Sequence, residues 1–173
     1  MEIYLIRHTT PLIEKGVCYG VSDIPLKDTF LLEAEKVLSQ IPTRFDKVYS
    51  SPLQRCKQLA QVITDDITFD NRLMELNFGS WELKKWDEIP NNEIQPWYDD
   101  WVHASTLNGE SYQDLQHRAI SFVEDLPKNY DSIAIVTHSG VLRTLWAYFN
   151  NIDLKDSFDA LVIDYGAVLK IIY

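Results

Sequence analysis

The sequence predicts an α/β fold with a mostly parallel central sheet, helices on both faces and a small Trp-rich cap insertion. Three observations predict it. Ile3 to Ile6 form an apolar run with no alternation, the pattern of a strand covered on both faces. The stretch "SIAIVTHSG" at 132–140 repeats that design. Between the two, short strand-like runs alternate with segments of helical period, the order expected of a layered α/β sheet. The first apolar run ends in Arg7 and His8, the second in Thr137 and His138. Ligands of parallel sheets bind beyond the carboxyl ends of the strands, so a cation and two imidazoles there mark a candidate site.

The elements follow in order. "LLEAEKVL" places Leu31, Ala34, Val37 and Leu38 at helical spacing. "KVYSS" reads as a short strand leading into "SPLQRCKQLAQVI". There Leu53, Cys56, Ala60 and Ile63 form a helical face, and Pro52 suits its first turn. Cys56 on that face reads as a small core residue. The segment 76–108 holds Trp81, Trp86, Trp97 and Trp101, two prolines and many acids; it is irregular or helical at best, and reads as a cap packed by its tryptophans. "SYQDLQHRAISFVEDL" is helical, with Leu115, Ala119 and Phe122 on one face, Ser111 as N-cap and His117 on the polar side. "VLRTLWAYF" follows His138 as a helix, and "ALVIDYGAVLKIIY" reads as two strands around Gly166. No repeat or Gly/Ser linker divides the chain, so residues 1–173 are expected to form one domain.

Composition narrows the partners. Of 173 residues, 46% are hydrophobic and 12% aromatic, enough for a sizeable core. The formal net charge is −10, from 16 Lys and Arg against 26 Asp and Glu. Such a surface repels nucleic acid and anionic membrane, and a small anion, such as a small phosphorylated metabolite, binds only where a local cluster of cations overcomes that field. No apolar run approaches the ~20 residues of a membrane span. The chain shows no basic-then-apolar leader and only two cysteines, Cys18 and Cys56, which fits a cytoplasmic setting. The oligomeric state is not legible.

Several phosphate-handling devices are excluded. With six glycines, no P-loop pattern can be written. Neither cysteine has an arginine at the spacing a cysteine-based phosphatase uses, and no Asp-x-Asp follows an apolar strand. His8, His103, His117 and His138 form no metal-ligand pair, so neither metal nor cofactor is expected. Histidine remains as the candidate nucleophile.

"LIRHTTP", "YSSPLQRC", "LMELNFGSWE", "NGES" and "VTHSGVLR" occur in that order. Together they resemble the histidine phosphatase superfamily, whose fold is shared with the cofactor-dependent phosphoglycerate mutases. The resemblance runs from residue 3 to about residue 145. It implies that Arg7 and His8 are the family's Arg-His pair. Arg55 in "SPLQR" matches its second arginine, Glu75 in "LMELNFG" its acid, and His138 its second histidine. "RHTTPLIEKGVCYGVSDIPL" resembles the α-ribazole phosphatase branch, which acts in assembling the nucleotide loop of cobalamin. Two positions depart from the superfamily pattern. Thr9 replaces a glycine, which requires an ordinary backbone there. Glu14 stands where the mutases carry an asparagine, and a carboxylate would repel phosphate, so Glu14 is left outside the site.

The expected roles follow from charge. Arg7, Arg55 and a protonated His138 would clamp a phosphate dianion. His8 would attack phosphorus as a neutral imidazole, its other nitrogen donating to a backbone carbonyl and neighbouring cations disfavouring its protonation. Glu75 would protonate the leaving alkoxide and later deprotonate water, given a partly dry pocket. Glu110 and Ser111 of "NGES" are candidates to face the pocket, and a helix cap explains Ser111 equally well. The leading reading is thus a phosphomonoesterase with a phosphohistidine intermediate acting on α-ribazole 5′-phosphate. The alternatives are a broad-specificity phosphatase, a phosphoglycerate mutase and a non-catalytic phosphate-binding module.

Overall fold

The computed structural model describes residues 1–173. Five strands form one sheet: β1 (Glu2–Arg7), β2 (Lys47–Ser50), β3 (Ile67–Phe69), β4 (Ser132–Thr137) and β5 (Val168–Ile172). Their order is β3-β2-β4-β1-β5. The first four run parallel, with Arg7 opposite Thr137 and Ser50 opposite Val136. The carboxyl ends of β1, β4 and β2 therefore share one rim, which carries His8, His138 and Ser51. Only β5 runs antiparallel, beside β1.

The two predicted apolar strands are covered on both faces, as their lack of alternation required. Helices α1 (Phe30–Leu38) and α2 (Gln54–Ile63) bury Ala34, Val37, Cys56, Leu59 and Ala60 against Tyr4, Ile6, Ala134 and Val136. Helices α4 (Tyr112–Glu124) and α5 (Ser139–Asn150) bury Leu115, Ala119, Phe122, Val141 and Leu142 against Ile3, Leu5, Ile133 and Ile135. Odd and even residues of one strand thus serve opposite layers. Ser111 caps α4 as expected: its hydroxyl accepts from Asp114 N–H, and the Asp114 carboxylate accepts from Ser111 N–H, a reciprocal capping box. No helix is long and apolar enough to cross a membrane.

The carboxyl-terminal expectation needs correction. Only Val168–Ile172 forms a strand, and residues 161–165 do not pair beside it. Their backbone is used elsewhere: Ile163 C=O accepts from Arg7 Nη1 at 2.6 Å, and Gly166 N–H donates to His8 C=O at 3.1 Å. The segment straps the end of β1 instead of extending the sheet. The cap segment contains the short helix α3 (Asn91–Asp99), and three single 3₁₀ turns punctuate residues 71–88. Trp81, Ile89 and Ile94 bury Cys18 in a separate small core, with Phe78, Trp86 and Trp97 against it. Trp81, Trp86 and Trp97 therefore pack the cap onto the loop that follows β1. A last short helix, α6 (Ser157–Ala160), lies against α5.

Candidate active site

Arg7 and His8 leave the sheet where β1 ends, and the strap fixes both. Arg7 N–H donates to Ala167 C=O and its Nη1 to Ile163 C=O. The Tyr165 ring lies against the guanidinium, 3.9 Å from Cζ to the ring centroid. His8 is 2% exposed, and its Nδ1 lies 2.7 Å from Thr9 C=O. That bond makes Nδ1 the protonated nitrogen and leaves Nε2 with a lone pair and no protein partner. Burial, then Arg55, then Arg7 hold the imidazole well below its ordinary pKa. The cations thus act as expected, second to burial. Thr9 is buried and has no positive φ, so it replaces glycine without backbone strain.

Arg55 and His138 lie beneath His8, both 0% exposed. The His8 and His138 rings are 5.1 Å apart and nearly edge to face. Arg55 comes from the first turn of α2, whose N-terminus Asp23 caps by accepting from Gln54 N–H. Its Nη1 donates to Ser22 C=O at 2.7 Å and its Nη2 to Gly20 C=O at 2.5 Å. Its Nε donates to His138 Nδ1 at 3.2 Å. A nitrogen that accepts from a guanidinium carries no proton, so the expected third cation is corrected: His138 is a neutral imidazole here. Burial is the main cause, reinforced by Arg55, His8, Arg118 and Arg7, and its pKa falls well below the ordinary value. Its Nε2 lies 2.8 Å from Ser51 Oγ, and Cys56 Sγ packs at 3.4 Å. Cys56 is accordingly a core residue whose thiol burial pushes up beyond useful ionisation.

Glu75 reaches the same rim from the opposite side. Its Oε2 accepts from Gly140 N–H at 3.1 Å and lies 3.3 Å from Ser139 Oγ; Oε1 accepts from Leu76 N–H at 3.0 Å. Ser139 and Gly140 open α5, so the carboxylate meets the positive end of that helix. A Cβ at Gly140 would overlap Oε1, which explains the glycine in "VTHSG". The backbone that carries Glu75 is itself held. Arg118 Nη1 donates to Arg72 C=O at 2.7 Å and Met74 C=O at 2.6 Å, and Nη2 to Glu75 C=O at 2.9 Å. Glu110 pairs with Arg118 at 2.6 Å and accepts from Asn77 N–H. Glu110, a candidate to face the pocket, does not line the cleft and instead locks the Glu75 segment.

A cleft of about 210 Å³ opens on this rim, lined by Arg7, His8, Glu75, Tyr112 and Ser139 on the polar side and by Phe78 and Trp86 on the apolar side. Of the four cap tryptophans only Trp86 reaches it. Trp81 and Trp97 pack with Trp86 and Phe78, and Trp101 packs on Tyr112 and Phe158. The structure therefore brings all five predicted site residues together, Arg7, His8 and Glu75 on the cleft and Arg55 and His138 in the layer below. Glu14 is exposed, 3.7 Å from Lys85, and does not line the His8 cleft. His103 sits at 2.8 Å from Asp100 on the surface, and His117 is exposed. No group of three or more His, Cys, Asp or Glu side chains is placed to hold a metal ion. Sequence reasoning missed Tyr19, Tyr112, Arg118 and Tyr165. Arg118 alone carried a signal, as a basic residue on the partly buried side of an amphipathic helix.

The profile of the histidine phosphatase superfamily, branch 1, matches residues 3–173. The chain is 29% identical over 158 residues to the adenosylcobalamin/alpha-ribazole phosphatase of Escherichia coli K12, covering 85% of this chain and 78% of that one. It is 30% identical over 162 residues to "Probable phosphoglycerate mutase GpmB" of Escherichia coli O1:K1, covering 84% and 73%. The crystal structure of the alpha-ribazole phosphatase from Shigella flexneri superposes with a TM-score of 0.89 at 26% identity, over 98% of this chain and 89% of that one. With the mostly parallel sheet and two strand-end histidines already in place, the chain belongs to the histidine phosphatase superfamily, branch 1, and is a phosphatase of that superfamily.

Proposed function

We propose that the chain hydrolyses α-ribazole 5′-phosphate through a phosphohistidine at His8. The observation that carries the mechanism is the Nδ1 to Thr9 C=O contact, which leaves Nε2 unprotonated in a cleft beside Arg7 and Glu75. Nε2 attacks phosphorus, the ester P–O bond breaks, and Glu75 gives its proton to the departing alkoxide. Water then loses a proton to Glu75 and attacks phosphorus, the P–N bond breaks, and inorganic phosphate leaves neutral His8 behind. Arg7, with Arg55 beneath, stabilises the charge on the transferring oxygens throughout. The proton shared between Arg55 and His138 orients both groups and adds no further charge.

The substrate is supported by similarity to the alpha-ribazole phosphatases and by the aromatic wall of the cleft. Phe78 and Trp86, edge to face with each other, give the cleft an aromatic wall, and a stack of a benzimidazole on one of these rings is worth ~1 kcal/mol beyond burial and so less than tenfold in selectivity. Polar contacts to the sugar must supply the rest. The test has two parts. Acid-labile, alkali-stable phosphate is expected on rapidly quenched wild type and is absent from His8→Ala; an alkali-labile acyl phosphate refutes the mechanism. The kcat/KM for α-ribazole 5′-phosphate is expected to exceed that for AMP and 3-phosphoglycerate in one buffer. A flat profile supports the broad-specificity reading, and phosphate retained on a phosphoglycerate product supports the mutase reading.

A further inference from the structure

A second cleft, of about 350 Å³, adjoins the first. Thr10, Glu14, Lys15 and Lys27 supply its polar and charged groups, beside an apolar surface that includes Pro11 and Ile13. The two clefts share Val17 and Tyr19, which form the partition between them. Tyr19 is not held by its own loop. Its hydroxyl lies 2.8 Å from the hydroxyl of Tyr165, 146 residues away in the carboxyl-terminal strap. Tyr165 lines the second cleft, stacks on Arg7 at 3.9 Å and stands 5.6 Å from the His8 ring. The Arg55 guanidinium stands 5.5 Å from the Tyr19 ring centroid. Each ring therefore lies over one of the two site arginines, and a single hydrogen bond joins the rings.

We propose that Tyr19, fastened by Tyr165, determines specificity by dividing one continuous trough. The inference rests on the phosphatase reading of His8. Ligand clefts for molecules of drug or nucleotide size span roughly 300–1,000 Å³. The His8 cleft alone falls below that range, and the two joined fall within it. A compact aryl phosphate places its phosphate at Arg7 and its ring on Trp86 without disturbing the bridge. A sugar or nucleoside phosphate, α-ribazole 5′-phosphate included, carries hydroxyls that extend past Tyr19 toward Thr10, Lys15 and Lys27, and it enters when the two tyrosine hydroxyls part. Both tyrosines lie outside the strands and helices, in residues 8–29 and 161–167, and parting their hydroxyls requires only that a ring turn, which leaves the Arg7 N–H to Ala167 C=O and Gly166 N–H to His8 C=O bonds of the strap in place. The bridge is then a standing cost against large polar substrates, because only the fraction of molecules with the bridge open binds them.

Tyr19→Phe and Tyr165→Phe keep both rings and remove the bridge. The readout is kcat/KM for AMP and ribose 5-phosphate relative to p-nitrophenyl phosphate. The net worth of a hydrogen bond translates to about a two- to tenfold rise in that ratio for either variant. The double variant is expected to match the singles, since all three lose the same contact. An unchanged or lowered ratio in both single variants overturns the proposal; a lowered ratio would mean that the hydroxyls bind substrate directly. If wild type fails to turn over p-nitrophenyl phosphate, the phosphatase reading fails separately. The bridge is then judged by calorimetry, as the affinity for AMP relative to inorganic phosphate in the same variants, with the same two- to tenfold rise expected and its absence decisive against it.

Discussion

Acidification below neutrality should destabilise this protein before its carboxylates titrate. His8 and His138 are buried, and both have pKa values held well below the ordinary histidine value. In the unfolded chain both take up a proton near pH 6.5. Between that value and the folded values the unfolded state binds more protons, so stability is full above pH 6.5 and falls as pH drops. Each histidine costs about 1.4 kcal/mol at pH 5.5 if its folded form is still neutral there, and about 0.2 kcal/mol at pH 7. The pair therefore removes about 2.5 kcal/mol between pH 7 and 5.5. For a chain of this size that is roughly 5–10 °C in Tm. Asp70 and Asp114 are held low by Arg72 and Ser111 respectively, so their losses belong to a lower window, below about pH 4. Urea titrations at pH 7.0, 6.0 and 5.5 measure the drop, and His138→Gln should halve it. Equal stability at pH 7.0 and 5.5, or an undiminished drop in His138→Gln, would refute the reasoning.

Two further outcomes concern the acid. Glu75→Gln should lower kcat on alkyl phosphates by about 10²–10⁴ while largely sparing p-nitrophenyl phosphate, whose leaving group departs without a proton; equal losses on both would leave Glu75 a structural role only. Arg118→Gln removes three bonds to the carbonyls of residues 72–75 and unpairs Glu110. It should cost about 2–3 kcal/mol in denaturant titration. It should also shift the alkyl-to-aryl activity ratio in the same direction as Glu75→Gln but less far. A loss of stability with no change in that ratio would separate Arg118 from the placement of Glu75.

What was legible in the sequence was whatever periodicity or strand position dictates. The doubly covered strands, the amphipathic α1, α2 and α4, and the rim carrying His8 and His138 follow from local pattern, and the parallel register then joins sites 130 residues apart. The carboxyl-terminal strap was not legible. "ALVID" is as apolar as a strand, but its carbonyls serve side chains from remote parts of the chain: Ile163 C=O serves Arg7, and Leu161 C=O serves Arg143. Local propensity carries no trace of such partners. The neutral state of His138 was hidden for the same reason, since it follows from burial in the fold and from an Arg55 Nε that arrives from 83 residues away. Nothing local marks Tyr19 or Tyr165 either, since their hydroxyls lie 146 residues apart in sequence and meet only in the fold.

The way the arginines are satisfied bears directly on function. Arg72 and Arg118 pair with carboxylates, at 2.8 Å to Asp70 and 2.6 Å to Glu110. Arg7 and Arg55 have no carboxylate within 4.0 Å, although acids outnumber bases 26 to 16 in this chain. Their N–H groups donate instead to the carbonyls of Ile163, Ser22 and Gly20 and to the neutral His138 ring. A carbonyl satisfies a donor and fixes its direction without cancelling its charge, whereas a carboxylate does all three. Arg7 and Arg55 are thereby oriented and still carry their full positive charge. Two uncancelled cations match a phosphate dianion, and they reinforce the burial that keeps both histidines neutral in a protein of net charge −10. An acid introduced beside either arginine would undo both effects at once. It would offset the attraction for phosphate and raise the proton affinity of the His8 nitrogen that must stay bare.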